Sequence, residues 1–259
     1  MNRLEKALKL VKERNEKAFV PYIMAGDGGL DQLMEQIIFL ESCGATAIEI
    51  GIPFSDPVAD GPTIQAAGLR ALEMGTTLKE VIATIQSLRP IVSLPLIIMT
   101  YMNPIYAYGI PGFMEDARKA GVDGLIIPDL PIEEEDIISS YLEVADIDLV
   151  RLVTLTSSPE RIKEISEKAR GFLYAVTVTG ITGARADFNE KVGVYLKQLQ
   201  QASPIPVLAG FGISTPEQVK EMGKYCDGVI VGSKIIELFS EQRKDEIESL
   251  IQASKGIVV

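Results

Sequence analysis

The 259-residue sequence contains no histidine and only two cysteines. Without histidine, serine–histidine and cysteine–histidine catalytic pairs cannot form, and a histidine-based zinc site is excluded. Cys43 and Cys226 are too few for a disulfide framework, and each precedes an apolar segment, which favours buried packing residues over a catalytic thiol. Proton transfer would therefore fall to carboxylates, tyrosine, lysine or cysteine, and no metal site is expected.

Long apolar segments and basic clusters are also absent. The longest apolar stretches, such as residues 94–99, are far shorter than a membrane span. The N-terminal residues carry charges of both signs and no apolar signal core, which predicts a cytoplasmic protein. The net charge of −11, without a long basic run, argues against nucleic acid as the main partner. An anionic substrate would therefore need a local site, such as backbone N–H groups at a helix start.

Short apolar runs alternate with longer amphipathic stretches along the whole chain. Runs of this kind are typical of buried parallel strands. They cover residues 19–25, 47–52, 95–101, 124–128, 148–154, 172–178, 206–209 and 228–231. Because no linker interrupts these eight strand–helix units, residues 1–259 are predicted to form a single (β/α)8 TIM barrel. The alternative is an open eight-stranded sheet.

Helical spacing of apolar residues fills the intervals between the strands. Helices are predicted at residues 30–42, 112–120, 133–144 and 160–169, and an extra N-terminal helix at residues 2–14. Another helix begins at Thr215, with Pro216 at its first position and Gln218 completing a capping box. Three helix-to-strand joints contain a glycine that is interpreted as a helix C-cap: Gly44, Gly121 and Gly228.

The strands are unevenly spaced. Most neighbouring strands start about 22 to 29 residues apart, but the second and third are about 48 apart and the sixth and seventh about 34. Extra length after a barrel strand falls in the loops that build active sites. Residues 53–75 and 179–190 are therefore candidate active-site loops, and residues 179–190 form either a mobile lid or a passive surface loop. Residues 102–109, apolar and aromatic, are interpreted as a further loop that either meets a partner or packs on the barrel.

Two carboxylates are the leading catalytic candidates. Glu49 lies within the second predicted strand, where both faces are covered, so its carboxyl should be buried with a raised pKa. Such a group suits general acid–base catalysis, unless hydrogen bonds inside the barrel make it purely structural. Asp56 and Asp60 follow in a proline-rich segment, where either could instead cap a turn.

Glycine-rich turns follow the last three predicted strands, at residues 180–184, 209–214 and 232–234. Barrels often bind phosphate with the loops after strands seven and eight and with a helix N-terminus. Glycine lets backbone N–H groups approach a phosphate closely, so these turns predict a phosphate site. Lys234 could add charge there, although it is interpreted as a solvated helix residue.

Residues 19–22, 49–65 and 210–214 resemble the tryptophan synthase alpha chain family, and the similarity extends from Phe19 to Ile236. The resemblance implies a TIM-barrel lyase that cleaves indole-3-glycerol phosphate to indole and glyceraldehyde 3-phosphate by a retro-aldol reaction. It implies no cofactor in this chain. The family's pyridoxal phosphate belongs to a partner β subunit in an α2β2 tetramer. That subunit would receive indole through a tunnel and dock on the loops after strands two and three.

The resemblance also implies roles for individual residues. Glu49 matches the catalytic acid–base group, and Asp60 matches the carboxylate that holds the indole N–H and stabilises positive charge on the ring. The implied substrate-binding residues are Tyr22, Met99, Ile126, Tyr174, Thr182, Gly183, Phe211, Gly212, Gly232 and Ser233, with Gly183, Gly212, Gly232 and Ser233 at the phosphate. Asp56 and Thr182 match a pair that meets when the lid closes. Family members often have phenylalanine in place of Tyr22 and leucine in place of Met99, which bears on pocket tuning and not on the reaction class.

Two other functions fit parts of the same pattern. The chain could be a different phosphate-binding barrel enzyme, which a panel of substrates without indole would reveal. It could also be an inactive barrel that only stimulates a β subunit, although the presence of both Glu49 and Asp60 argues against this.

Overall fold

An all-parallel sheet closes on itself to form a barrel. The computed structural model describes residues 1–177, 185–210 and 212–255, without side-chain detail for residues 185–190. The strands are β1 (Ala18–Met24), β2 (Ile48–Gly51), β3 (Leu96–Met99), β4 (Gly124–Ile126), β5 (Asp148–Leu149), β6 (Arg151–Thr154), β7 (Leu173–Val176), β8 (Val207–Gly210) and β9 (Gly228–Val231). They run in the order β5-β4-β3-β2-β1-β9-β8-β7-β6.

The strands at the two ends of this order, β5 and β6, are two parts of one barrel strand. Only Val150 separates β5 from β6, and its N–H donates to the Leu125 carbonyl of β4 at 2.9 Å. On the other side, β6 pairs with β7 in parallel. The sheet therefore closes, which confirms the (β/α)8 barrel and rejects the open sheet.

Helices surround the barrel. They are α1 (Arg3–Glu13), α2 (Leu30–Ser42), α3 (Pro62–Glu73), α4 (Leu78–Leu88), α5 (Met102–Tyr108), α6 (Ile110–Ala120), a 3₁₀ helix (Ile132–Ile137), α7 (Ser139–Ala145), α8 (Pro159–Lys168), α9 (Arg185–Ala202), α10 (Pro216–Gly223), α11 (Ser233–Ser240) and α12 (Lys244–Ala253). The capping box predicted from Thr215 and Gln218 is present at the start of α10. The helix predicted at residues 133–144 is divided at Ile138 into the 3₁₀ helix and α7.

The extra N-terminal helix closes one end of the barrel. Leu4 and Leu8 of α1 are buried in the same apolar cluster as Val20 of β1 and Phe172, which precedes β7. At the helix start, Asn2 Nδ2 donates to Asp148 Oδ2 of β5 at 2.7 Å. The amino ends of the strands are therefore sealed, and the opposite end is left for a site.

Three segments interpreted as loops contain helical residues, and in one of them, residues 179–190, α9 begins at Arg185. Within residues 53–75, α3 begins at Pro62, so the loop after β2 is limited to residues 52–61. Residues 102–109 contain α5, whose first N–H, from Met102, donates to the Asp129 carboxylate at 3.0 Å. Asp129 lies in the loop after β4, so this cap joins neighbouring barrel units and leaves no signal in the local sequence.

The third proposed glycine cap was wrong. Gly44 and Gly121 do follow helices in the left-handed region, with φ of 84° and 75°. Gly228 instead lies in β9, where a Cβ would come within 2.5 Å of the Ala18 carbonyl oxygen of β1. Glycine is needed at 228 because two neighbouring strands approach closely there.

Two further expectations concern the cysteines and membrane-spanning helices. Cys43 and Cys226 are unpaired and buried, as expected for packing residues. Among the residues that the structure describes, no helix combines the length and apolar character needed to cross a membrane.

Replacing Gly228 by alanine should destabilise the barrel by about 1–3 kcal/mol, since the new methyl group would force β9 away from β1. Gly61→Ala is the matched control, because a Cβ there meets no atom within 4 Å and the φ of −77° suits any residue. Both substitutions reduce the conformational entropy of the unfolded chain by the same amount, so this effect cancels in the comparison. Urea denaturation measures the difference, and equal stability of the two variants would contradict the packing argument.

Candidate active site

A cavity of about 250 Å³ opens where the strands end. It lies opposite α1, among the carboxyl ends of the strands and the loops that follow them. Nine of the residues predicted from the sequence line it: Tyr22, Glu49, Asp60, Met99, Ile126, Tyr174, Gly212, Gly232 and Ser233. The fold therefore brings together residues from positions 22 to 233 of the chain.

The Glu49 carboxyl is held inside the barrel by β2. The residue is 3% exposed, and its Oε2 atom has no hydrogen-bond partner among the described residues. Burial, with a smaller contribution from the negative charge of Asp60, raises the pKa of Glu49 to about 8. At neutral pH the group is therefore mainly a carboxylic acid with a proton to donate.

Asp60 has a more polar setting at the mouth of the cavity. Its side chain accepts a hydrogen bond from Tyr101, whose hydroxyl in turn accepts from the Ala59 N–H at 3.0 Å. Burial raises the pKa of Asp60 to about 6, and the Tyr101 hydrogen bond limits the rise. Two carboxyl groups in one cavity thus have different protonation states at pH 7, the arrangement needed for separate acid and anion roles.

Two tyrosines lie across glycines of the neighbouring strand. Tyr22 of β1 pairs with Glu49, and its hydroxyl occupies the position that a side chain on Gly51 would take. Tyr174 of β7 lies against Gly210 of β8 in the same way, with its hydroxyl 2.5 Å from where a Cβ would stand. The two glycines leave the space into which both aromatic rings extend.

An apolar wall completes the cavity. Met99 and Ile126 are aligned on the paired strands β3 and β4. Ile64 of α3, Leu152 of β6 and Ile230 of β9 extend this wall. A pocket with apolar walls and few polar groups suits a flat aromatic ring.

Sequence reasoning missed several of these residues. Tyr101 is the main one, because it holds Asp60 in place. It lies two positions after Met99 in the predicted strand, so strand alternation could have placed both on the same face. Leu152 and Ile230 also lie within predicted strands and show the same kind of signal.

The third region of the cavity consists of backbone groups at the start of α11. Gly232 is the N-cap of this helix. The Ile235 N–H donates to the Gly232 carbonyl at 2.8 Å, whereas the N–H groups of Ser233 and Lys234 precede the first helical hydrogen bond and have no acceptors within the helix. Gly212 adopts a φ of 79°, which favours glycine. These features provide a pocket for an anion.

Lys234 is not the solvated residue expected from the sequence. Its side chain is 20% exposed, lines the cavity and pairs with Glu237 at 2.8 Å. It is the one cationic side chain among the described residues that line the cavity. The ammonium group is therefore paired with a residue one turn further along α11, and the side chain borders the cavity.

Some predicted site residues lie elsewhere. Asp56 is exposed and accepts a hydrogen bond from Ser55. Phe211 lies outside the described residues, and so does the first half of the segment interpreted as a lid or a surface loop, residues 179–184, which includes Thr182 and Gly183. Within the described ranges, no group of three or more cysteine or carboxylate side chains is arranged to hold a metal ion.

Comparison with known proteins places this chain in one family. A model of the tryptophan synthase alpha chain family matches residues 8–256. The chain belongs to the tryptophan synthase alpha chain family. The tryptophan synthase alpha chain of Bacillus cereus (strain ATCC 10987 / NRS 248) is 53% identical over 248 residues, which is 96% of both chains.

Solved structures of tryptophan synthase share the fold. The alpha subunit from Legionella pneumophila superimposes with a TM-score of 0.90 and 34% identity, over 99% of this chain and 100% of that one. A chain of tryptophan synthase from M. tuberculosis in its aminoacrylate-bound form gives a TM-score of 0.89 at 29% identity, over 98% of this chain and 100% of that one.

The buried Glu49 should make the stability of this chain depend on pH. Below its ordinary pKa of 4.5 the group is protonated in both folded and unfolded chains. Between that pH and about 8 the unfolded chain releases the proton while the folded chain retains it, so the folded state loses stability. Relative to Glu49→Gln, the wild type should become less stable by up to a few kcal/mol as pH rises.

Urea denaturation of both proteins at several pH values measures this effect. Glu133→Gln is the control, because the hydrogen bond from Arg161 lowers the pKa of Glu133 to about 2. The contribution of Glu133 is therefore present above its ordinary pKa and is lost only as pH falls, which leaves the control without a slope near neutral pH. A difference between wild type and Glu49→Gln that does not change with pH would mean that Glu49 is ionised in the folded protein.

Proposed function

We propose that the cavity between Glu49 and Asp60 is the site where this chain cleaves indole-3-glycerol phosphate. As a tryptophan synthase alpha chain, the protein is a carbon–carbon lyase that forms indole and glyceraldehyde 3-phosphate and passes the indole to a β subunit. The observation that carries the site assignment is that one apolar cavity contains two carboxyl groups of different burial. Burial raises the pKa of Glu49 to about 8 and that of Asp60 to about 6.

The first step is protonation of the indole ring. Neutral indole is a poor carbanion leaving group, so the ring carbon that bears the glycerol chain must gain a proton before the bond breaks. Glu49, as a buried acid, donates this proton. The Asp60 carboxylate accepts a hydrogen bond from the ring N–H and stabilises the positive charge that the ring acquires.

The second step breaks the carbon–carbon bond. The Glu49 carboxylate now accepts the proton of the glycerol hydroxyl next to the ring. The electrons of that O–H bond form the carbonyl of glyceraldehyde 3-phosphate, and the electrons of the breaking bond return to the ring to give neutral indole. Glu49 ends the cycle protonated, so no other acid is needed.

The phosphate is assigned to the start of α11. Backbone N–H groups at Gly232 and Ser233, together with the turn at Gly212, can surround it, as the resemblance implied. Lys234 lines the same cavity, with its ammonium group paired to Glu237. Local groups are required because the chain carries a net charge of −11 and does not attract anions as a whole.

The β subunit is proposed to dock beside the cavity, on the segments after β2 and β3. Val58 and Tyr106 expose 84% and 50% of their surface there, and exposed apolar groups of this kind mark partner surfaces. An α2β2 tetramer in the cytoplasm, with pyridoxal phosphate on the β subunit, is the assembly that family membership supports. Asp56 and Thr182 remain the proposed pair for lid closure.

Replacing Glu49 by glutamine should reduce indole release by at least about 10³-fold, because the amide cannot act as the acid. The shape of the side chain is kept, so the fold should be intact by circular dichroism. Indole release is measured with and without a β subunit, and Glu133→Gln serves as a surface control. Near-normal turnover of Glu49→Gln would overturn the assignment.

The rate should also show a bell-shaped dependence on pH. In the free enzyme the reaction needs Asp60 ionised and Glu49 protonated, so kcat/KM should rise through about pH 6 and fall through about pH 8. Asp60→Asn should lower the rate and remove the acidic limb while keeping the basic one. If the acidic side of the kcat/KM profile is unchanged in Asp60→Asn, a group other than Asp60 is responsible for it.

A further inference from the structure

The hydroxyl of Tyr22 is buried without a hydrogen-bond partner. The residue is 3% exposed, and its hydroxyl oxygen contacts no donor or acceptor among the described residues. Tyrosines elsewhere are satisfied: Tyr101 accepts from the Ala59 N–H, and Tyr195 donates to the Thr154 carbonyl at 2.6 Å. A buried hydroxyl without a partner is costly, so the cavity that Tyr22 lines is expected to supply one.

The unpaired hydroxyl of Tyr22 and the unpaired carboxyl oxygen of Glu49 lie in the same wall of the cavity. Tyr22 and Glu49 are partners in the register between β1 and β2, and both line the cavity. Oε2 of Glu49 is also buried without a partner among the described residues. The two unsatisfied oxygens thus belong to neighbouring residues on adjacent strands that border one cavity.

The charges around Tyr22 keep its hydroxyl protonated. Burial, and then the negative charges of Asp60 and Glu49, raise the pKa of Tyr22 well above its ordinary value, and Tyr101 and Tyr174 add to the rise. The hydroxyl is therefore available as a hydrogen-bond donor over the whole working range of pH.

The chemistry of the two oxygens selects one kind of ligand group. In the bond-breaking step, where Glu49 has given up its proton, the ligand group must accept from Tyr22 and donate to the Glu49 carboxylate. An indole N–H can only donate and a phosphate dianion can only accept, whereas an alcohol does both. We propose that Tyr22 donates to the glycerol hydroxyl of the substrate whose proton Glu49 accepts. This inference rests on the proposed function and deepens it.

Such a contact would act on the bond-breaking step. A hydrogen bond to the hydroxyl oxygen makes its O–H more acidic and fixes the proton towards Glu49. The oxygen becomes the carbonyl oxygen of the aldehyde product, and the Tyr22 proton stays on tyrosine throughout. Tyr22 is thus a binding and orienting group, separate from the apolar lining role implied by the family resemblance.

Tyr22→Phe is the direct test, since it removes only the hydroxyl and keeps the ring. The variant should fold normally and lower kcat/KM for indole release about fivefold to tenfold. Tyr225→Phe is the control. Its hydroxyl bonds to Glu221 away from the cavity, so the control should retain wild-type kinetics.

A binding comparison identifies the atom that Tyr22 contacts. In the Glu49→Gln background, which cannot turn over, affinity is measured for indole-3-glycerol phosphate and for the analogue with hydrogen in place of both glycerol hydroxyls. Adding Tyr22→Phe should weaken binding of the first about fivefold and leave binding of the second unchanged. Equal weakening of both ligands, or no weakening of either, would overturn the inference.

The activity of the wild-type protein shows whether a negative result contradicts the proposed function or only the role of Tyr22. If wild-type protein releases no indole from indole-3-glycerol phosphate, the proposed function itself fails. If the wild type is active and Tyr22→Phe stays within twofold of it, only the role of Tyr22 fails.

Discussion

Desolvation of one carboxyl group, that of Glu49, is the constraint on which the rest of the site depends. A strand covered on both faces holds this group where its ionised form has little solvation. It therefore keeps a proton at neutral pH, as a general acid must. Asp60, on a loop at the cavity mouth and hydrogen-bonded by Tyr101, remains the anion. The difference between two chemically similar side chains comes from position alone.

The remainder of the barrel maintains that desolvation. Closure of the sheet through β5 and β6 removes any open edge beside the cavity. Helix α1 covers the amino end with Leu4 and Leu8, and the cavity lies at the end where the carboxyls are. The apolar wall then serves two purposes, because it fits an aromatic ring and excludes the water that would lower the pKa of Glu49.

Packing inside the barrel shows how a tyrosine can be placed near a reacting group. Gly51 and Gly210 lack side chains at the points where Tyr22 and Tyr174 cross from the neighbouring strand. A larger residue at either glycine would displace the ring. The polar ends of both tyrosines consequently lie close to the two carboxyls, and their burial raises their pKa values so that both stay neutral. Neutral donors beside Glu49 and Asp60 fit a site that must stabilise charge on its substrate.

The sequence by itself determined the parallel strands, the barrel, the buried Glu49 and the cap at Thr215, since each follows from apolar periodicity or from neighbouring residues. The glycine-rich turns after the last strands predicted a phosphate site, and the segment similarity favoured a site role for Asp60 over the capping of a turn. Only the tertiary structure decided that Asp129 caps α5, that Gly228 serves strand approach and that Lys234 faces the cavity. It alone showed that the Tyr22 hydroxyl has no described partner. The physical reason is the distance along the chain between the residues involved. Burial along a strand follows from the local sequence, whereas a hydrogen-bond partner or a steric neighbour comes from another barrel unit.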